Sequence, residues 1–240
     1  SETLWHEYDS FENLPQIMNP SSGFIQNCNN TPFFTTKGKD NLDSVNFNMT
    51  YGIETAMTNR GLRALETFGE NDKITYDKFK EYKYDLHYSK QSTMNKLVSK
   101  SIELLDKNNF PDLPSNILSN AKNTLKNWNL STDKENKNAP LPIIAFRKLM
   151  DVPFNEINSE TIIKQLNHSI NYLLSNFNTL NLPWGQINRL IRGDQNLSLD
   201  GGPDIARAIY TEITESGELK ATAGDSYILL VRWNNNGKAI

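Results

Sequence analysis

The sequence predicts an α+β fold, with strands near both ends of the chain and a mainly helical middle. Three observations lead there. Apolar residues recur at helical spacing from Ile53 to Phe177. Short apolar runs bounded by glycine, proline and asparagine lie on either side of that region. The 240 residues are 37% hydrophobic and 22% charged, a balance that buries a core rather than leaving the chain disordered.

Residues 1–52 read as a strand and loop segment. Pro15, Pro20, Gly23 and Pro32 break any helix. Between them Phe24, Ile25, Gln26, Asn27 and Cys28 form a candidate buried strand. Residues 53–182 read as the helical segment. Ile53, Ala56, Leu62, Leu65 and Phe68 fit one helix face, weakened by Gly61 and ended by Gly69. A short helix is expected over 77–84. Longer ones are marked by Met94, Leu97, Val98, Ile102 and Leu105, and by Ile117, Ala121, Leu125 and Trp128. Residues 130–139 are loop-like, and 143–150 predict a short helix. Ile162, Leu166, Ile170, Leu173 and Phe177 make the longest stripe, with Asn158 as N-cap. Residues 183–240 read as turns and strands returning to the sheet. Residues 184–192 suggest one or two helical turns, and 206–211, 218–222 and 226–233 suggest strands. The three segments are expected to form one structural unit, a piece of a longer chain, with the two ends sharing a sheet.

Composition excludes several classes. The 25 basic residues do not outnumber the 28 acidic ones, so no nucleic-acid footprint is present. No apolar run approaches the ~20 residues of a membrane span. A single cysteine, Cys28, forms neither a disulfide framework nor a cysteine-built metal cluster. No HExxH, GxSxG or P-loop motif occurs. His6, His87 and His168 are far apart and read as surface histidines. The acidic pairs Asp40/Asp43 and Asp200/Asp204 carry oxygens of the kind calcium prefers, but read as solvated loop acids.

One segment stands out, NPSSGFIQNCNNTP at residues 19–32. Asn27, Asn29 and Asn30 end an apolar stretch, where amides need partners if buried. An amide in such a position can aim an N–H donor at a developing oxyanion. This segment resembles the NPxxGxxxNxNxxP segment in the β chain of the penicillin amidase (penicillin acylase) family, which includes the acyl-homoserine-lactone acylases. The run WGQINRLIRG at 184–193, followed by GGPD at 201–204, resembles a second landmark of that family. GDSYILLV at 224–231 resembles a third.

The resemblance implies a fragment of the four-layer αββα fold of N-terminal-nucleophile hydrolases. It implies hydrolysis of N-acyl amides, such as penicillins, acyl-homoserine lactones or related compounds, by a serine that leads the β chain and uses its own amine as base. It implies antibiotic metabolism or quorum quenching as settings, and export to the periplasm or beyond. By the motif's position Asn29 is the oxyanion-hole amide. Arg60 maps to a family arginine near the cleft, with Arg63 as the competing choice. Phe24, Phe33 and Phe34 are candidates to line the apolar acyl pocket, or else core residues. Ser1 is not read as the nucleophile, because the residues after it do not resemble the family's serine-led start. The nucleophile and the remaining acylase α- and β-chain segments are therefore expected from elsewhere, and the fragment alone is expected to be inactive. No cofactor is expected in the reaction. Some family members hold calcium, and Asp40 stands where one such acidic ligand falls. Two other readings remain open on sequence: a non-catalytic exported module, for instance one that binds glycans through its Tyr, Trp and Asn residues, and an inactive relative of the acylases.

Overall fold

A computed structural model describes residues 10–70, 73–107, 110–111, 113–225 and 227–239. Ser1, His6 and Ser226, each part of the sequence reading, lie outside the described residues. The chain divides into two compact units, Ser1–Lys73 and Ile74–Ile240.

The first unit is mostly turns and short 3₁₀ segments around one helix, α1 (Asn59–Thr67). The helix begins later than the apolar spacing predicts. Thr58 caps it, its hydroxyl accepting from Gly61 N. The residues before it are held outside helical geometry, because Glu54 Oε1 accepts from the amides of Thr55 and Ala56. Ala56 O in turn accepts from Thr31 N. The expected strand over 24–28 joins no sheet among the described residues. A strand needs a neighbour to satisfy its backbone. Here Gln26 supplies a substitute, donating from N to Thr35 O (2.8 Å) and from Nε2 to Phe34 O (2.7 Å). The segment thus hooks onto the turn that follows Pro32. Phe33 is buried there against Phe47, with ring centroids 5.8 Å apart.

The second unit carries the main core. Its helices are α2 (Tyr76–Lys83), α3 (Thr93–Asp106), α4 (Ser115–Asn127), α5 (Pro140–Phe146), α6 (Ser159–Phe177) and the single turn α7 (Trp184–Ile187). α6 matches its sequence stripe, and Asn158 Oδ1 caps it by accepting from Thr161 N at 2.8 Å. Ile162, Leu166, Ile170 and Leu173 are each at most 1% exposed. Each such side chain contributes roughly 1.5–3 kcal/mol through burial, before the entropy of ordering it. α5 is buried on every side and packs against α3, α4 and α6, as an all-apolar helix must. It starts three residues before the predicted helix. Pro140 at its first turn presets φ and has no N–H to leave unpaired.

A four-stranded sheet follows: β1 (Asn188–Arg192), β2 (Gln195–Ser198), β3 (Ile209–Ile213) and β4 (Leu219–Gly224), in spatial order β2-β1-β4-β3. β1 and β2 form a hairpin closed by Gly193 and Asp194, with Arg192 opposite Gln195. The spacing over 184–192 predicts helical turns, but only residues 184–187 are helical. β3 and β4 form a second hairpin. β1 and β4 join the two in parallel through only two register pairs, Asn188–Leu219 and Arg189–Lys220. The α+β class stands, but this sheet is built wholly from residues after 187, so the expected sharing of a sheet between the two ends is not observed among the described residues. Of the expected strand over 226–233, the described residues 227–233 join no sheet; Trp233 makes an isolated bridge to Ala239.

Candidate active site

The asparagine motif docks onto the start of α1, and three contacts set its geometry. Thr58 Oγ1, while capping the helix, donates to Cys28 O at 2.9 Å. Asn30 closes a local turn, its Oδ1 accepting from Cys28 N and its Nδ2 donating to Thr31 O. Gly61 lets that turn approach the helix: a Cβ there would lie 2.8 Å from Asn30 Oδ1. Sequence reasoning missed Thr58, Asn30 and Gly61 as supports of the motif. The apolar spacing hid the cap, since Thr58 falls inside the stripe that runs from Ile53 to Phe68.

Asn29 sits at the apex with φ +57°, in the left-handed region that asparagine tolerates better than most residues. Its backbone N–H donates to Asn27 Oδ1 at 3.0 Å, an Asx turn that holds this conformation. Its side chain is exposed, and Oδ1 accepts from Arg60 Nη2 at 3.2 Å. A guanidinium can only donate. The atom facing Arg60 must therefore be the amide oxygen, which turns the Nδ2 donors the other way. Among the described residues none accepts from Nδ2. Arg60 thus fixes which end of the amide is presented to solvent. Arg60 also breaks a local rule, because a cation in the first turn of a helix opposes the helix dipole. Arg63, the competing choice, pairs instead with Glu66 at 2.7 Å one turn along the same helix.

The three phenylalanines do not share one cavity. Phe24 is half-buried and lines a cavity of about 410 Å³ with Asn19, Pro20, Gly23 and Ile25. Phe33 packs in the core of its unit, and Phe34 is 50% exposed. Asp40 accepts from both the backbone N–H of Ser21 (2.6 Å) and its hydroxyl. Those two bonds, the hydroxyl's first, hold its carboxyl below the usual carboxylate range. Among the described residues no group of three His, Cys, Asp or Glu side chains is placed to hold a metal. His87 Nδ1 donates to Asp85 Oδ1 at 3.0 Å, a local pair.

The other two sequence landmarks build the frame of the second unit. Trp184 Nε1 donates to Gly201 O at 2.7 Å, and Asn188 Nδ2 donates to Leu199 O and Gly201 O. WGQIN and GGPD are thus two halves of one hydrogen-bonded corner. Gly185 fits between Lys134 and Ser198, where a Cβ would lie 2.8 Å and 2.9 Å from their Cβ atoms. Arg189 is spent on the frame too, donating to Gly185 O, Ser198 Oγ and Asn196. Gly224 of the GDSY run presses on Ala208 O, and Asp225 pairs with Lys83 at 3.3 Å.

The penicillin amidase family model matches residues 1–240. The chain belongs to the penicillin amidase family. Membership places it with acylase-type amidohydrolases that act on acyl amides. A comparison with curated proteins gives no match. The α+β architecture with a mixed sheet is compatible with a piece of the family's N-terminal-nucleophile hydrolase fold. No helix among the described residues is long and apolar enough to cross a membrane.

Proposed function

We propose that this chain supplies the oxyanion-stabilising part of an acylase that cleaves N-acyl amides into a carboxylic acid and an amine. The observation that carries the reading is the Asn29–Arg60 pair. Arg60 holds the amide oxygen, leaving the Nδ2 donors outward at the apex of a braced turn. A donor fixed in advance stabilises a tetrahedral oxyanion without reorganising during the reaction. Arg60 is then a positioning residue, acting on the reaction through Asn29. The attacking serine is proposed to lie outside the described residues, with its α-amine as general base. Phe24 contributes to the acyl pocket through the cavity it lines, and Phe33 acts as core. The nucleophile, base and oxyanion donors of this proposal are all protein groups. The acyl group is proposed to be apolar, of the penicillin or acyl-homoserine-lactone kind. Export to the periplasm or beyond belongs to the same proposal; fractionation of cells expressing the complete gene tests it.

The experiment is release of a chromogenic amine from a panel of acyl amides. The chain is assayed alone and co-expressed with the segments encoded upstream, each with and without Asn29→Ala. Activity is expected only with the upstream segments, falling ~10²–10³ in the variant. Full activity with Asn29→Ala removes Asn29 from the oxyanion hole. If both forms are folded and turn over no acyl amide, the binding-module or inactive-relative reading takes its place.

A further inference from the structure

A cleft of about 160 Å³ opens at the outer strand β3, lined by Arg147, Lys148, Pro203, Ile209, Tyr210 and Thr211. Arg147 directly follows α5 and is half-buried. Its Nη1 donates to Thr211 Oγ1 at 2.9 Å. A guanidinium carries five N–H donors, so one neutral hydroxyl leaves most of them unused. Among the described residues neither Arg147 nor Lys148 makes an ion pair. Burial pushes the Arg147 pKa down, and the one charged-state partner opposing that is Tyr172. The Tyr172 hydroxyl, however, donates its own proton to Gly217 O. The guanidinium nonetheless stays protonated. Two adjacent cations, one of them partly desolvated, therefore line a cleft in which no described residue supplies a counter-charge, an arrangement that favours an entering anion.

We propose that this cleft binds a small organic carboxylate. Its oxygens meet the Arg147 fork and the Lys148 ammonium, and its apolar part rests on Pro203, Ile209 and Tyr210. A planar carboxylate matches the guanidinium bidentately. The apolar wall favours an organic acid over inorganic phosphate, which has nothing to place there. Since liquid water takes about 30 Å³ per molecule, the cleft has room for about five waters, enough for a carboxylate with a short body. The site is independent of the asparagine motif and of the acylase reading.

The test titrates the full chain with benzoate, butyrate and inorganic phosphate at constant ionic strength, following binding by ligand-observed NMR. Benzoate is expected to saturate in the millimolar range. Binding should weaken at least about tenfold in Arg147→Met, several-fold in Lys148→Met, and to an intermediate extent in Arg147→Lys, which keeps the charge and loses the fork. Lys126→Met, on the exposed side of α4, should leave it unchanged. Lys148 is exposed, so its variant reads out the site even where an Arg147 variant unfolds. Absence of saturation with benzoate, equal binding in the Lys148→Met variant, or tighter binding of phosphate than of benzoate each overturns the proposal.

Discussion

Replacing Asn29 by alanine and, separately, by glycine divides its two roles. Asn29 holds a left-handed backbone, φ +57°, and presents an amide. Alanine loses both. Alanine keeps the backbone N–H bond to Asn27 Oδ1 but lacks asparagine's tolerance of this region, where a Cβ costs up to roughly 1–2 kcal/mol. The lost bond to Arg60 adds little, about 0.5 kcal/mol, because the pair is exposed and screened by solvent. Glycine loses the amide but adopts this backbone freely, so its stability should stay within about 0.5 kcal/mol of the parent. Urea unfolding followed by circular dichroism should therefore separate the two variants by roughly 1–2 kcal/mol. Amide hydrolysis, measured in the completed enzyme proposed above, should not separate them. Both should lose ~10²–10³ in kcat, equivalent to about 2.7–4 kcal/mol of transition-state stabilisation. Activity retained in Asn29→Gly within a few-fold would refute the amide's role. Equal stability of the two variants would refute the account of the turn.

Arg60→Met should lower kcat about five- to tenfold with little change in KM, since it frees the Asn29 amide to flip; a change confined to KM would mean that Arg60 binds substrate instead. Gly185→Ala should destabilise by roughly 1–3 kcal/mol despite alanine's better helix propensity, because its Cβ meets Lys134 and Ser198 below 3 Å; chemical denaturation checks the sign. Glu103 has its pKa lowered to about 2 by hydrogen bonds from Lys107 and then Lys100. Its folded value is below the unfolded one, so its contribution to stability is present above about pH 4.5 and is lost as pH falls toward 2. Glu103→Gln should flatten the stability profile in that window, an effect kept small by solvent screening of the exposed carboxylate.

Much of the second unit was legible in the sequence because one physical signal dominated it. α6 shows an uninterrupted stripe and an asparagine cap, and both appear in place. The β1–β2 hairpin was not legible. Ile187, Leu190 and Ile191 are spaced as a helix would space them, and the turn at Gly193-Asp194 decided the conformation instead. The segment at 24–28 looks like a strand by composition, but ladders depend on a neighbour, which no local pattern reveals. At the site, Asn29 and Arg60 lie 31 positions apart, so no spacing rule predicts their meeting. Family resemblance named both residues. Their relation, a guanidinium that sets the direction of an amide, depends on a turn docked through Thr58 and Gly61 and emerges only in three dimensions.

The sheet is two local hairpins zipped together along two register pairs. Each hairpin closes short loops and so can nucleate by itself on a fast timescale. The join between them closes only after both exist, and side chains cross it: Asn196 Nδ2 to Glu218 Oε1, and Arg192 Nη1 to Ala221 O. Native-state hydrogen exchange should therefore resolve the sheet into two cooperative blocks. The amides of the exposed strand β2, residues 195–198, should open at the lowest free energy in the sheet, while those beside the buried seam residues Asn188 and Leu219 should open only when the two hairpins part.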